Sequence, residues 1–139
     1  MARFGQHAAW LEFTSDRFDH TSELLDDANA GNRFYGRDVA EFIAAGLGER
    51  GLDASFIDED WGWQVHAARD DGSVFEISIY HNPDDDPARE DDWALMLRSL
   101  RRLGMFSRFR EVPVGDAETA ALDDVFDEID APLRRTVAD

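Results

Sequence analysis

Two stretches of the chain bring together side chains able to do chemistry. Asp58-Glu59-Asp60-Trp61-Gly62-Trp63 sets three carboxylates directly before two tryptophans. Carboxylates pair with a guanidinium or ammonium group, and an indole face attracts the same cations. Asp58, Glu59, Asp60 and Trp61 therefore form a candidate surface for gripping an arginine-rich protein or an amine. The same residues admit a structural reading in which Trp63 is core, Trp61 is half-buried and the acids cap a neighbouring turn. A second set is Gln64, His66, Glu76 and Tyr80. A His66–Glu76 pair has the groups for general acid–base work in a small enzyme or ligand-binding pocket, and such pairs are also common across solvated strands. No nucleophile or phosphate loop accompanies it, so no catalytic residue is assigned. His7, His20, His66 and His81 lack HExxH or other compact ligand spacing. The acidic run 84–92 lacks EF-hand order and contains Pro87, so neither a metal nor a cofactor is expected.

The elements that must position these groups follow from periodicity. Trp61-Gly62-Trp63-Gln64-Val65-His66-Ala67 and Val74-Phe75-Glu76-Ile77-Ser78-Ile79-Tyr80-His81 flank Asp70-Asp71-Gly72 and read as a β-hairpin. A three-residue loop with Gly72 in the left-handed conformation pairs Arg69 with Ser73. It sets Ala67 opposite Phe75, Val65 opposite Ile77, Trp63 opposite Ile79 and Trp61 opposite His81. A two-residue loop would mix apolar and polar residues on one face, so the pattern selects the longer turn. His66 then faces Glu76, and Gln64 faces Ser78. Ala54–Ile57 reads as an earlier strand of the same sheet, and Trp10–Thr14 as a short first strand or packing segment.

Val39, Phe42, Ile43 and Leu47 recur at helical spacing over about 38–50, with Asp38 and Glu41 at capping-box spacing and Gly51 as a left-handed stop. Gly46 and Gly48 weaken this helix, a cost that points to close packing on its last turn. A second helix over about 116–129 carries Ala121, Leu122, Val125, Phe126 and Ile129 on one side. Residues 22–32 read as a loop with at most one helical turn, and 84–92 as an exposed acidic loop. The segment 93–103 fits either a helix or a strand, the latter followed by an arginine-rich loop through Arg108 and Arg110. The expected domain is single, with an irregular segment over 1–31 and a frayed end over 132–139.

The chain has 139 residues, 31 acidic and 14 basic, for a formal charge of −17; every basic residue is arginine and there is no cysteine. Disulfides and thiolate chemistry are thereby excluded. Such a charge repels phosphates, so direct nucleic-acid binding is not expected, whereas a basic protein partner fits. The bland alternative is that the acidity serves solubility or reflects a salty habitat. Arg98, Arg101, Arg102, Arg108 and Arg110 form a basic cluster, best explained by internal or intersubunit ion pairs. With no apolar run long enough for a membrane span or signal, the expected setting is the cytoplasm.

Phe34-Tyr35-Gly36-Arg37-Asp38-Val39-Ala40-Glu41-Phe42, Gly51-Leu52 and Asp58-Glu59-Asp60-Trp61-Gly62-Trp63 resemble motifs of a group of bacterial proteins without assigned activity. These combine a "YG-D-A" helix start with an "EDWGW" strand start. The resemblance covers roughly residues 32–93, and it implies that the segment from Trp93 is a strand.

The expected fold is α+β, an antiparallel sheet of about four strands with two helices on one face. The leading functional expectation is a non-enzymatic acidic binding domain, immunity- or inhibitor-like, engaging a basic protein. The alternatives are a DNA-mimicking inhibitor of a nucleic-acid-binding enzyme, a small enzyme or ligand binder using the His66/Glu76 face, and a structural homodimer joined through an open sheet face or edge.

Overall fold

The computed structural model describes residues 8–103 and 108–136. Its strands are β1 (Ala9–Thr14), β2 (Asp53–Glu59), β3 (Gly62–Ala68), β4 (Val74–His81), β5 (Asp92–Leu103), β6 (Arg108–Val112) and β7 (Arg134–Thr136), and its helices are α1 (Arg37–Glu49) and α2 (Asp116–Asp127). The fold is α+β with one antiparallel sheet, as expected, but the sheet has seven strands in the order β2-β3-β4-β5-β1-β7, with β6 also on β5.

β5 accounts for the extra strands. Along one side it pairs with β4 from Trp93 to Leu100, and along the other with β1 from Asp92 to Leu97 and then β6 from Ser99 to Leu103. Apolar residues are buried on both of its faces, Ala94 and Leu100 on one and Trp93, Leu95 and Leu97 on the other, while Leu103 at its end is 40% exposed. A run apolar on both faces loses the alternation that marks a half-buried strand, which is why the sequence pattern also admits a helix. The expected arginine-rich loop is strand β6, and Arg101 lies opposite Arg110 in the β5–β6 register. Of the basic cluster, Arg98 has the expected internal partners, Glu76 at 3.6 Å and Glu111 at 3.9 Å.

The β3–β4 hairpin has the expected register and turn: Ala67 faces Phe75, Val65 faces Ile77 and Trp63 faces Ile79, Arg69 N donates to Ser73 O, and Gly72 has φ 85°. The β3–β4 ladder ends at Trp63–Ile79, so Trp61 is not paired with His81; it belongs to the tight β2–β3 turn. The inward residues of β1, β3, β4 and β5 meet Val39, Ile43 and Leu47 of α1 and Leu122, Val125 and Phe126 of α2 in one core, with Phe13 and Phe126 ring centroids 4.6 Å apart. Each such side chain, fully buried, stabilises the fold by roughly 1.5–3 kcal/mol. The other sheet face carries Trp10, Gln64, His66, Glu76, Tyr80 and Arg98.

Three local expectations change. α1 has Gly36 as its N-cap, and Asp38 accepts from the Asp19 and Val39 amides, so no Asp38–Glu41 capping box forms. Asp92 leaves the acidic loop to open β5, where it is buried, accepts from Thr14 Oγ1 and pairs with Arg89. Arg134–Thr136, expected to be frayed, adds β7 to β1, while 137–139 lie outside the described residues. Within 1–31, β1 is an interior strand and Ala28–Gly31 the single helical turn expected there.

The last turn of α1 is packed closely at one of its two glycines. A Cβ on Gly46 would sit 2.7 Å from both γ-methyls of Val125, whereas one on Gly48 would meet nothing within 4 Å. Overpacking costs roughly 1–3 kcal/mol, more than the helix gains from alanine, up to about 1 kcal/mol. Denaturant unfolding should therefore show Gly46→Ala destabilised by about 1–2 kcal/mol and Gly48→Ala stabilised by up to about 1 kcal/mol; equal signs would contradict the α1–α2 contact.

Candidate functional site

The acids and tryptophans of 58–63 occupy the end of β2, the turn at Asp60–Trp61 and the start of β3. This geometry splits the motif. Trp63 faces the core and its indole N–H donates to Phe34 O at 2.9 Å. Trp61 lies on the other side of the sheet, 5.8 Å from the Tyr80 ring, which stacks in turn on Trp10 at 6.1 Å. Asp58, Glu59, Asp60 and Trp61 therefore do not form one continuous patch.

Asp58 is held by Asn29, a fully buried residue from the loop between β1 and α1. The Asn29 side-chain amide donates to Asp58 Oδ1 at 2.7 Å, Glu59 O at 2.9 Å and Gly62 O at 2.8 Å. Its backbone amide donates to Asp58 Oδ2 at 3.1 Å, and its Oδ1 accepts from Phe34 N at 2.7 Å. Asn29 has φ 53°, a left-handed conformation that asparagine tolerates better than most residues. Asn32 adds a bond from Nδ2 to Asp60 O. These bonds give the Asp58 carboxylate the structural task of holding the 28–34 loop against the turn, while Glu59 and Asp60 contribute only their backbone carbonyls.

That loop closes one wall of a cleft of about 500 Å³. Among the described residues, Asp19, Glu23, Asp27, Asp38, Glu41 and Asp58 line it with a single cation, Arg37, and its apolar lining includes Leu24, Leu25, Phe34, Tyr35 and Trp63. Arg37 is already paired to Glu41 at 3.0 Å. Asp19 is held below the usual carboxylate range by the Ser22 hydroxyl and then by the Thr21 and Ser22 amides, so it carries its charge well into the acid range. Glu23 and Asp27 make no hydrogen bond or ion pair among the described residues, which leaves two carboxylates available at the mouth. Asp58 alone of the four expected partner-binding residues lines this cleft. The other acids of the cleft come from residues 19–41, where the sequence assigned no binding role, and Asp19, Glu23 and Asp27 belong to no local motif.

The opposite face carries Gln64, His66, Glu76 and Tyr80, with His66 across from Glu76 and Gln64 across from Ser78 in the strand register. His66 Nε2 is 2.5 Å from Gln64 Oε1 and 3.6 Å from Glu76 Oε2, Gln64 donates to Ser78 Oγ at 3.1 Å, and Arg98 engages Glu76. Burial pushes the Tyr80 phenol up, partly offset by its hydrogen bond with Ser78, so the group stays protonated at neutral pH. A third grouping joins residues far apart in the chain: single ligand atoms of His20, His81 and Glu90 lie within 4.8 Å of one another. His7 lies outside the described residues. Among those residues, no helix is long and apolar enough to cross a membrane. Comparison with protein-family models, with curated proteins and with solved structures finds no match.

Two outcomes check this geometry. Asn29→Ala strips the Asp58 carboxylate and two carbonyls of their donor and should cost roughly 2–4 kcal/mol in urea unfolding. Asn29→Gly, which keeps the backbone conformation without strain, should show most of the same loss. In an alkaline absorbance titration, the Tyr80 phenol should ionise above the ordinary value of about 10, and Tyr80→Phe should remove that late component. Because the folded state holds this proton more tightly than the unfolded one, the associated stability is lost as pH rises through the folded value.

Proposed function

We propose that this protein is a non-enzymatic binding domain that engages a basic protein partner through an acidic surface, in the manner of an immunity protein or small inhibitor, and that the cleft between residues 19–41 and the β2–β3 turn receives an arginine of that partner. The observation that carries this reading is the lining of the cleft: six carboxylates against one already paired arginine, over an aromatic and aliphatic floor. A guanidinium suits such a lining because it forks onto carboxylates and lies flat on apolar or aromatic surface. The exposed side chains of Leu25 and Phe34 beside the cleft supply apolar area for a partner to bury. Long-range attraction from a chain of charge −17 raises the association rate with a basic surface, and this part of the affinity falls with salt.

Bulk acidity alone also attracts cations, so the test must hold total charge constant. Titrating the protein with an arginine-bearing peptide and its citrulline counterpart, read by tryptophan fluorescence, compares Glu23→Gln/Asp27→Asn with Asp124→Asn/Asp127→Asn on exposed positions of α2. Each pair removes two charges. The cleft pair should weaken the arginine peptide about tenfold or more and the α2 pair about threefold or less, as local pairing outweighs screened distant charge. Equal losses would leave only diffuse attraction and sink the cleft as the binding place.

A further inference from the structure

We propose that His20, His81 and Glu90 form a binding site for a divalent transition metal of the zinc type. His81 ends β4, beside the start of β5. The connection after it doubles back, Asn82 N donating to Asp92 O at 2.7 Å and Asp92 N to Arg89 O at 3.1 Å, which returns Glu90 to His81. His81 Nε2 lies 3.5 Å from Glu90 Oε2 and 2.7 Å from Glu90 O. From the segment after β1, the His20 ring lies nearly parallel to that of His81, at 13° and 5.5 Å. One ligand atom from each residue falls within 4.8 Å of the others.

The three ligands differ in how firmly they are set. The His81 side chain is 15% exposed and wedged by Trp93 at 4.7 Å and Tyr35 at 5.5 Å, so its ring is positioned before any ion arrives. His20 and Glu90 stand on connecting segments, where a small approach is cheap. Zinc–ligand bonds of about 2.0–2.1 Å place tetrahedral donors about 3.4 Å apart, a spacing the Glu90–His81 pair already has at 3.5 Å and the widest pair reaches by closing at most about 1.4 Å. On metal entry His81 Nε2 gives its lone pair to the ion, and the imidazole proton moves from Nε2 to Nδ1, releasing the Glu90 carbonyl. Two imidazoles and one carboxylate select zinc or cobalt over magnesium or calcium, which prefer all-oxygen shells. The fourth position is left for water or a partner's side chain, the arrangement of an exchangeable site rather than a closed structural one. The strongly negative chain raises the local cation concentration without supplying this selectivity.

The test uses the full chain and the metals themselves. Calorimetric titration with zinc in about a hundredfold excess of magnesium, a concentration chosen to saturate the diffuse acidic surface, should return one zinc per chain. Cobalt(II) should give the visible absorption of a four- or five-coordinate ion. His20→Asn and Glu90→Gln, both on connecting segments and checked for folding by circular dichroism, should each weaken zinc about tenfold or more and bleach the cobalt band. Asp84→Asn, an acid of the same connection outside the trio, should change neither. The proposal is overturned if zinc fails to bind stoichiometrically, if magnesium displaces it, or if the two ligand variants bind as the native chain does.

Discussion

Hydrogen bonding along both sides of β5 is the constraint on which the rest of the structure depends. Its length, from Asp92 to Leu103, lets β1 and β6 dock end to end on one side while β4 runs along the other. The strand thus joins the N-terminal segment, the central hairpins and the C-terminal β7 into one sheet, and its inward Trp93, Leu95 and Leu97 belong to the core that the sheet shares with α1 and α2. At the far end of β5, Ser99 donates to Glu118 Oε2 at 3.1 Å, and the other Glu118 oxygen accepts from Gly115 N at 2.8 Å. With Arg69 beside it at 3.3 Å, this buried carboxylate fastens the start of α2 to the sheet and answers an otherwise unpaired helix amide.

Acidity is put to two different uses in this fold. Asp58, Asp92 and Glu118 are tied into hydrogen-bond or ion-pair networks that hold loops, strand ends and a helix start in place. Asp92 and Glu118 also lie against an arginine, which offsets their charge, whereas Asp58 is held by neutral amides and keeps its charge at the cleft. Glu23 and Asp27 stand in the opposite situation, exposed at an acidic cleft with an apolar floor. A carboxylate that folding has not engaged keeps its full capacity to attract a cation, and this distinction, rather than the total charge, locates the proposed binding surface.

The chain also separates its aromatic residues by face. Phe13, Phe75, Trp93 and Phe126 are in the core, while Trp10, Trp61 and Tyr80 run along the face away from the helices. The β2–β3 turn is responsible: the pleat alone would put residues 61 and 63 on one face, but Trp61 lies in the turn, ahead of the ladder that starts at Gly62, and so escapes that alternation. A motif that reads as one unit in sequence is thereby divided between the two faces of the sheet.

Residue order by itself determined the elements whose periodicity is local. The α1 and α2 stripes, the three-residue turn at Gly72 and the pairing of His66 with Glu76 are legible because hydrophobic alternation penalises every other register. The α+β class follows from them. Only tertiary structure decided that β5 is central, that 108–112 and 134–136 are strands, that Asn29 takes up Asp58, and that His20 meets His81 and Glu90. Apart from β6, which pairs locally with the end of β5, these join residues far apart in the chain, and short strands or lone side chains carry too little local pattern to announce a partner that pairing across the sheet supplies.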